Sequence, residues 1–352
     1  MPHTPQTASC VCVVSSSDLV LCVSSSSCLA PGAADAQGLP RTASGRPDLS
    51  GTYDTATLTP LQRPENRAAQ AQLTPEEIAE IEENARQAAI DADQPSEVRT
   101  EPLPVGGNVG GYNNYWFDRG AGVVDDGRTS LLVDPSNGRL PEVPAGVSRQ
   151  ATEDGVSQRP IRFRVGGVGS DGPEDRGLAE RCLLGFNTGP PVVPGGYNQN
   201  LQIFQTADHI VILNEMVHDA RIVPLDGRSQ LSEGMRQWMG SSRGRWEGDT
   251  LVVETTNFTD QTASFSPSVR SSVGSGVTLH LTERFRRVDD DTLLYEFTVN
   301  DPSSFERPFT AALPMKRGAA PMFEYACHEG NYGMLNLLTG ARMEELADTS
   351  QP

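Results

Sequence analysis

Residues 277–299 constrain the fold of this chain more than any other segment. Val277, Leu279, Leu281, Glu283 and Phe285 alternate with polar residues, and Leu293, Tyr295, Phe297 and Val299 repeat the pattern after the acidic turn Asp289-Asp290-Asp291. A period of two puts each set on one face of a strand, so the segment predicts an antiparallel hairpin with one buried face. Similar short runs occupy 201–205 and 210–213 around Ala207-Asp208, 217–225 up to Asp226-Gly227, and 250–256 after the turn at 246–249. Residues 308–314 and 322–327 continue the series, and 51–53 and 130–134 precede it. Only one helix is well signalled. Thr74 can cap it, Pro75 fits its first position, Glu76 and Glu77 favour its positive end, and Ile78, Ile81, Ala85 and Ala88 form a thin apolar stripe. The fold class is therefore mainly β, an antiparallel barrel or sandwich with one accessory helix and long loops.

Thirty-four glycines and 26 prolines in 352 residues account for the loops. The division along the chain is a signal-like or mis-started segment at 1–36 and one β-rich domain at 37–352. That domain has a loop-rich first half (37–175) and a strand-rich second half (176–345). The first segment has no Lys or Arg before Arg41, yet Ala34-Asp35-Ala36 before Gln37 fits a small-x-small cleavage pattern. The expectation is an exported, periplasmic or secreted protein. Four of the six cysteines lie within residues 1–36, which leaves Cys182 and Cys327 as an even pair to form a disulfide in an oxidising compartment. A net charge of −18 argues against nucleic acid and anionic membrane surfaces as partners, since both need a basic face. No apolar run is long enough to span a bilayer.

Chemistry concentrates in two polar runs. Tyr325-Ala326-Cys327-His328-Glu329-Gly330-Asn331-Tyr332 carries the first, and His218-Asp219-Ala220-Arg221 interrupts an otherwise strand-like segment. His218, His328, Glu329 and Glu283 are the candidate proton carriers, because imidazole and perturbed carboxyl groups titrate near neutral pH. Glu283 falls on the apolar face of the hairpin, where it is either a neutral acid or half of an ion pair with an arginine. His218 is either an acid/base or a hydrogen-bonded core histidine. Asp219 and Arg221 form an expected anchoring pair, and Arg243, Trp246, Tyr325, Asn331 and Tyr332 are candidate ligand contacts.

A divalent site from His218, His328 and Glu324 or Glu329 has the right ligand types, but their spacing does not single it out, and the reading is no metal. The glycines at 167–172 match a dinucleotide fingerprint, but Pro173, Glu174 and Asp175 stand where a phosphate-binding helix must begin, so no cofactor is expected.

The phrases PDLSGTY, EMVHDARIVPLDGR, SRGRWEGDTLVVETTNF and EYACHEGNYGM resemble a family of exported bacterial proteins known mainly from genome sequences. The resemblance covers residues 48–342 and implies export and a β-rich body; it supplies no catalytic residues. Tyr53 stands where similar sequences have Trp, and Ser229-Gln230 where they have Pro-His. The functional expectation is an exported small-molecule enzyme of the lyase, isomerase or hydrolase class working by acid–base chemistry on a partly apolar ligand. The alternatives are a non-catalytic calycin-like binding protein, by analogy of Gly51–Tyr53 with that superfamily, and an envelope protein whose loops bind another protein.

Overall fold

Alternation of buried and half-buried side chains builds the sheet that dominates the computed structural model, which describes residues 38–95, 100–101, 116–152, 160–318 and 321–349. In chain order the strands are β1 (Gly51–Asp54), β2 (Leu132–Asp134), β3 (Arg149–Ala151), β4 (Asn200–Gln205), β5 (His209–Asn214), β6 (Ala220–Pro224) and β7 (Ser241–Glu247). They continue with β8 (Thr250–Thr256), β9 (Phe265–Ser268), β10 (Ser271–Val273), β11 (His280–Arg287), β12 (Thr292–Asn300) and β13 (Phe309–Arg317). Nine of them run antiparallel in the order β6-β5-β4-β1-β13-β12-β11-β8-β7, with β2 pairing on β13. The sheet curls until its ends, β6 and β7, nearly meet. A Cβ on Gly244 of β7 would lie 2.6 Å from Leu225 Cδ2 and 2.9 Å from Val223 Cγ1 of the β6 edge, so glycine is what lets the seam draw together. A nearly closed barrel leaves little open edge for other chains to pair with.

The hairpin at the centre of this sheet has the expected register from Leu281 onward, whereas Val277, expected on its buried face, lies in a 3-10 turn before the strand and is exposed. Glu283 pairs with Phe297 and Phe285 with Tyr295, and Leu281, Phe285, Leu293, Tyr295 and Val299 are fully buried. Burying a side chain such as Phe or Leu contributes about 1.5–3 kcal/mol, so this face anchors the interior. Tyr53 also lies inside, its hydroxyl donating to the Leu49 carbonyl at 3.0 Å. A small second sheet, β3-β10-β9, lies alongside the loops.

Helix α1 (Pro75–Ala92) is capped as its sequence requires: Thr74 and Glu77 exchange side-chain-to-backbone bonds of 3.3 and 2.8 Å. None of its side chains is fully buried, so its thin apolar stripe only rests on the body.

Several expectations are corrected. The strand expected from residue 217 begins at Ala220, because Met216–His218 form a 3-10 turn with left-handed backbone at Val217 (φ 61°) and His218 (φ 45°). Residues 322–327 pair with nothing as a strand, and Phe323 is exposed. There is a second helix, α2 (Gly333–Thr349), with no buried side chain. No helix among the described residues is long and apolar enough to cross a membrane. The expected signal region lies outside the described residues.

Candidate functional site

The strained turn after β5 organises the polar groups. A β-branched residue at positive φ costs on the order of 1–3 kcal/mol and persists only where its surroundings hold it. Here the hold is dense. Asn214 N–H donates to the Asp219 carbonyl at 2.9 Å, Glu215 N–H donates to Asn200 O at 2.9 Å, and the Glu215 carboxylate accepts from the Asn200 amide at 2.8 Å. Met216 and Val217 pack beneath Phe186, Tyr197 and Tyr325 in a cluster separate from the barrel interior. The turn sends His218 outward and leaves Asp219 half-buried.

Asp219 Oδ2 is enclosed without a hydrogen-bond partner among the described residues. Burial raises this carboxyl to about 6, although the charges of Arg164 and His218, the Gly185 amide and the Thr188 hydroxyl all pull it down. Arg164 is in a matching state. Its Nη1 is enclosed without a partner, and burial lowers the guanidinium to about 10 while the charge of Asp219 pulls it up. The two do not close into an ion pair; they act on each other only across a gap.

Arg164 is held rigidly from its backbone. Its N–H donates to Val269 O at 2.9 Å, and its carbonyl accepts from Ala179 N–H at 2.9 Å. A Cβ on Gly177 would fall 2.4 Å from that carbonyl, so only glycine allows the two segments to pass so closely.

Arg164 lines a cavity of about 280 Å³ with Phe186, Thr188, Pro190, Ser264 and Phe265. Ser264 Oγ is a further enclosed hydroxyl without a partner. On the other side of Phe186 lies a cavity of about 450 Å³, bordered by Tyr197, Met216, Val217, Tyr325 and Asn331. Cys182 and Cys327 are joined by a disulfide, with Cα atoms 5.9 Å apart, and Cys327 borders this second cavity. The expected pair is therefore present.

The remaining candidates separate. Glu283 is fully buried and bound on both oxygens by Arg221: Nη2 donates to Oε1 at 3.0 Å and Nη1 to Oε2 more closely still. Tyr295 also donates to Glu283 Oε1 at 2.8 Å, and its hydroxyl accepts from Val192 N–H at 3.0 Å. Of the two readings of Glu283, this geometry supports the structural ion pair. Arg221 is thereby occupied, so the expected Asp219–Arg221 anchoring pair does not form.

His218 is exposed, with Nδ1 3.0 Å from the Tyr325 carbonyl. His328, Glu329 and Tyr332 are exposed on the approach to α2. His328 and Asn331 border a shallow cavity of about 290 Å³ beside Cys182. Arg243 donates to the Ser229 and Ser242 carbonyls at 2.9 and 2.7 Å, and Trp246 packs on the core under Arg46. Among the described residues, no three His, Cys, Asp or Glu side chains converge to hold a metal.

Arg164, Thr188, Phe186 and Ser264 were not among the sequence candidates. The one available signal was an arginine inside the apolar run Ile161-Arg162-Phe163-Arg164-Val165. Comparison with protein-family models, curated proteins and solved structures finds no match.

Proposed function

We propose that this chain is an exported small-molecule enzyme working by general acid–base chemistry, with Asp219 as proton carrier and Arg164 as the charge that positions its ligand. One observation carries the reading: Asp219 Oδ2 and Arg164 Nη1, on two oppositely charged groups that act on each other, are both enclosed without a hydrogen-bond partner among the described residues, and Arg164 borders a cavity. Structural charges are ordinarily paired, as Arg221 and Glu283 are in this molecule. A charge left open beside a cavity, with a second close enough to act on it, is suited to a reacting molecule. A carboxyl near 6 is matched to moving protons at neutral pH, where both of its forms are populated. Export is supported by the Cys182–Cys327 link and by the resemblance to exported proteins.

A second reading, a non-catalytic binding protein, is favoured by the larger cavity, whose border of Tyr197, Met216, Val217 and Leu337 would accept an apolar body. The two are separated by incubating the protein with the small-molecule extract of its host and following composition by mass spectrometry. The enzyme reading expects wild-type protein to deplete one compound and form another, and Asp219→Asn to do neither. Retention of a compound without conversion, identical in wild type and variant, would favour the carrier instead.

A further inference from the structure

We infer that the ligand of the Arg164 cavity carries a single carboxylate, which docks on the Arg164 guanidinium; this rests on the cavity being the functional site. The first ground is the unmet demand of the arginine itself. A guanidinium has five N–H donors in a rigid fork that fits a carboxylate. An enclosed cation with an open donor is costly unless something fills the gap. The same chain shows the filled case at Arg221, where Glu283 accepts on both oxygens and Tyr295 completes the set. Arg164 has no such carboxylate, and Asp219 acts on it only at a distance.

The second ground is the cavity's own charge. Among the described residues that line it, Arg164 is the one charged side chain; the other polar groups are hydroxyls such as Thr188, Ser264 and Ser266. Hydroxyls can donate to an anion without competing for the guanidinium. The chain's overall charge of −18 opposes an anion only from outside, where salt screens charges over roughly 8 Å.

The third ground selects the anion. One cation balances one negative charge. A phosphate dianion would leave excess negative charge in a cavity lined by a single cation, whereas that cation balances a carboxylate. The rest of the lining, including Phe186, Pro190, Pro191 and Phe265, suits a compact apolar body such as a short alkyl or aryl group.

The test is a titration at neutral pH with a panel of small monocarboxylic acids, among them propionate and benzoate, each matched to its neutral amide. Wild-type protein should bind at least one acid about tenfold more tightly than the amide of the same shape, the difference expected of a charge-assisted contact. Arg164→Gln should erase that preference. The acid–amide comparison on wild-type protein stands even where the Arg164 variant fails to fold.

Equal binding of acid and amide would overturn the inference and leave the small-molecule site intact. Equal binding of the acids to folded Arg164→Gln would overturn it too. Failure of the whole panel also overturns it, and conversion of a compound in the host extract then shows whether the broader functional reading survives.

Discussion

Replacing Glu283 with glutamine should be among the most destabilising single changes in this protein. Side-chain exposure is 6% for Arg221 and 0% for Glu283, so neither charge can turn to water when the other is lost. Glutamine keeps the volume and one acceptor oxygen. That oxygen can still serve Tyr295 and Arg221 Nη2, but the amide NH₂ then faces Arg221 Nη1, donor against donor. Breaking one side of a buried pair costs about 3–5 kcal/mol, mainly because the remaining charge stays buried alone. A domain is stable by only about 5–15 kcal/mol, so the loss should be plain in urea denaturation monitored by two probes.

The partner experiment is the double change Arg221→Met with Glu283→Leu. It removes both charges and should recover most of the loss, because an apolar pair of similar volume is commonly neutral or better in such a site. A Glu283→Gln protein within about 1 kcal/mol of wild type would refute the reasoning. That outcome would mean Glu283 is already neutral in the fold and return it to the candidate proton carriers.

Three further outcomes follow from the same geometry. Gly244→Ala should cost about 1–3 kcal/mol by forcing β6 and β7 apart at Val223 and Leu225, measured by thermal unfolding; an unchanged melting temperature would mean the seam is looser than described. Reducing Cys182–Cys327 should release the segment that bears α2 to limited proteolysis while the barrel persists, because that helix has no buried side chain. Continued protection of that segment after reduction would contradict this. Asp219 binds its proton more tightly in the fold than its ordinary value of 3.8, so its contribution to stability is greatest below that value and is lost as pH rises through about 6. The upper bound on that loss is about 3 kcal/mol, reduced by partial exposure to solvent. Asp219→Asn should flatten this limb of the stability profile, and an unchanged slope would count against the raised value.

How much of this was legible depended on whether the signal was local. The hairpin of β11 and β12 was readable because its alternation is unbroken and its turn acidic, and α1 because Thr74, Pro75 and Glu77 sit together at its start. Strand β7 was not recognised as a strand. Its inward residues are Ser242 and Gly244, chosen for closeness to the opposite strand rather than for hydrophobicity, so the usual period is missing. Residues 322–327 gave the reverse error: an alternating aromatic pattern with no partner strand.

The site was less accessible still. The left-handed turn at Val217 contradicts the local preference of a β-branched residue and depends on Asn200 and Glu215 brought in by pairing of β4 with β5. Arg164 and Asp219 come near enough to act on each other only through the packing of distant loops, and nothing in either neighbourhood names the other. Glu283 was placed correctly on the inner face, but only the register of the whole barrel shows that Arg221 reaches it.

The most direct test of the proposed site is the titration of Asp219 itself, followed through its carboxyl carbon by NMR on aspartate-labelled protein, with Asp219→Asn to assign the signal. The account predicts a midpoint near 6, moving upward when a bound carboxylate adds negative charge beside it. A midpoint at or below the ordinary 3.8, unmoved by any ligand, would mean that Asp219 is closed in a structural ion pair, and the proposed proton carrier would be lost.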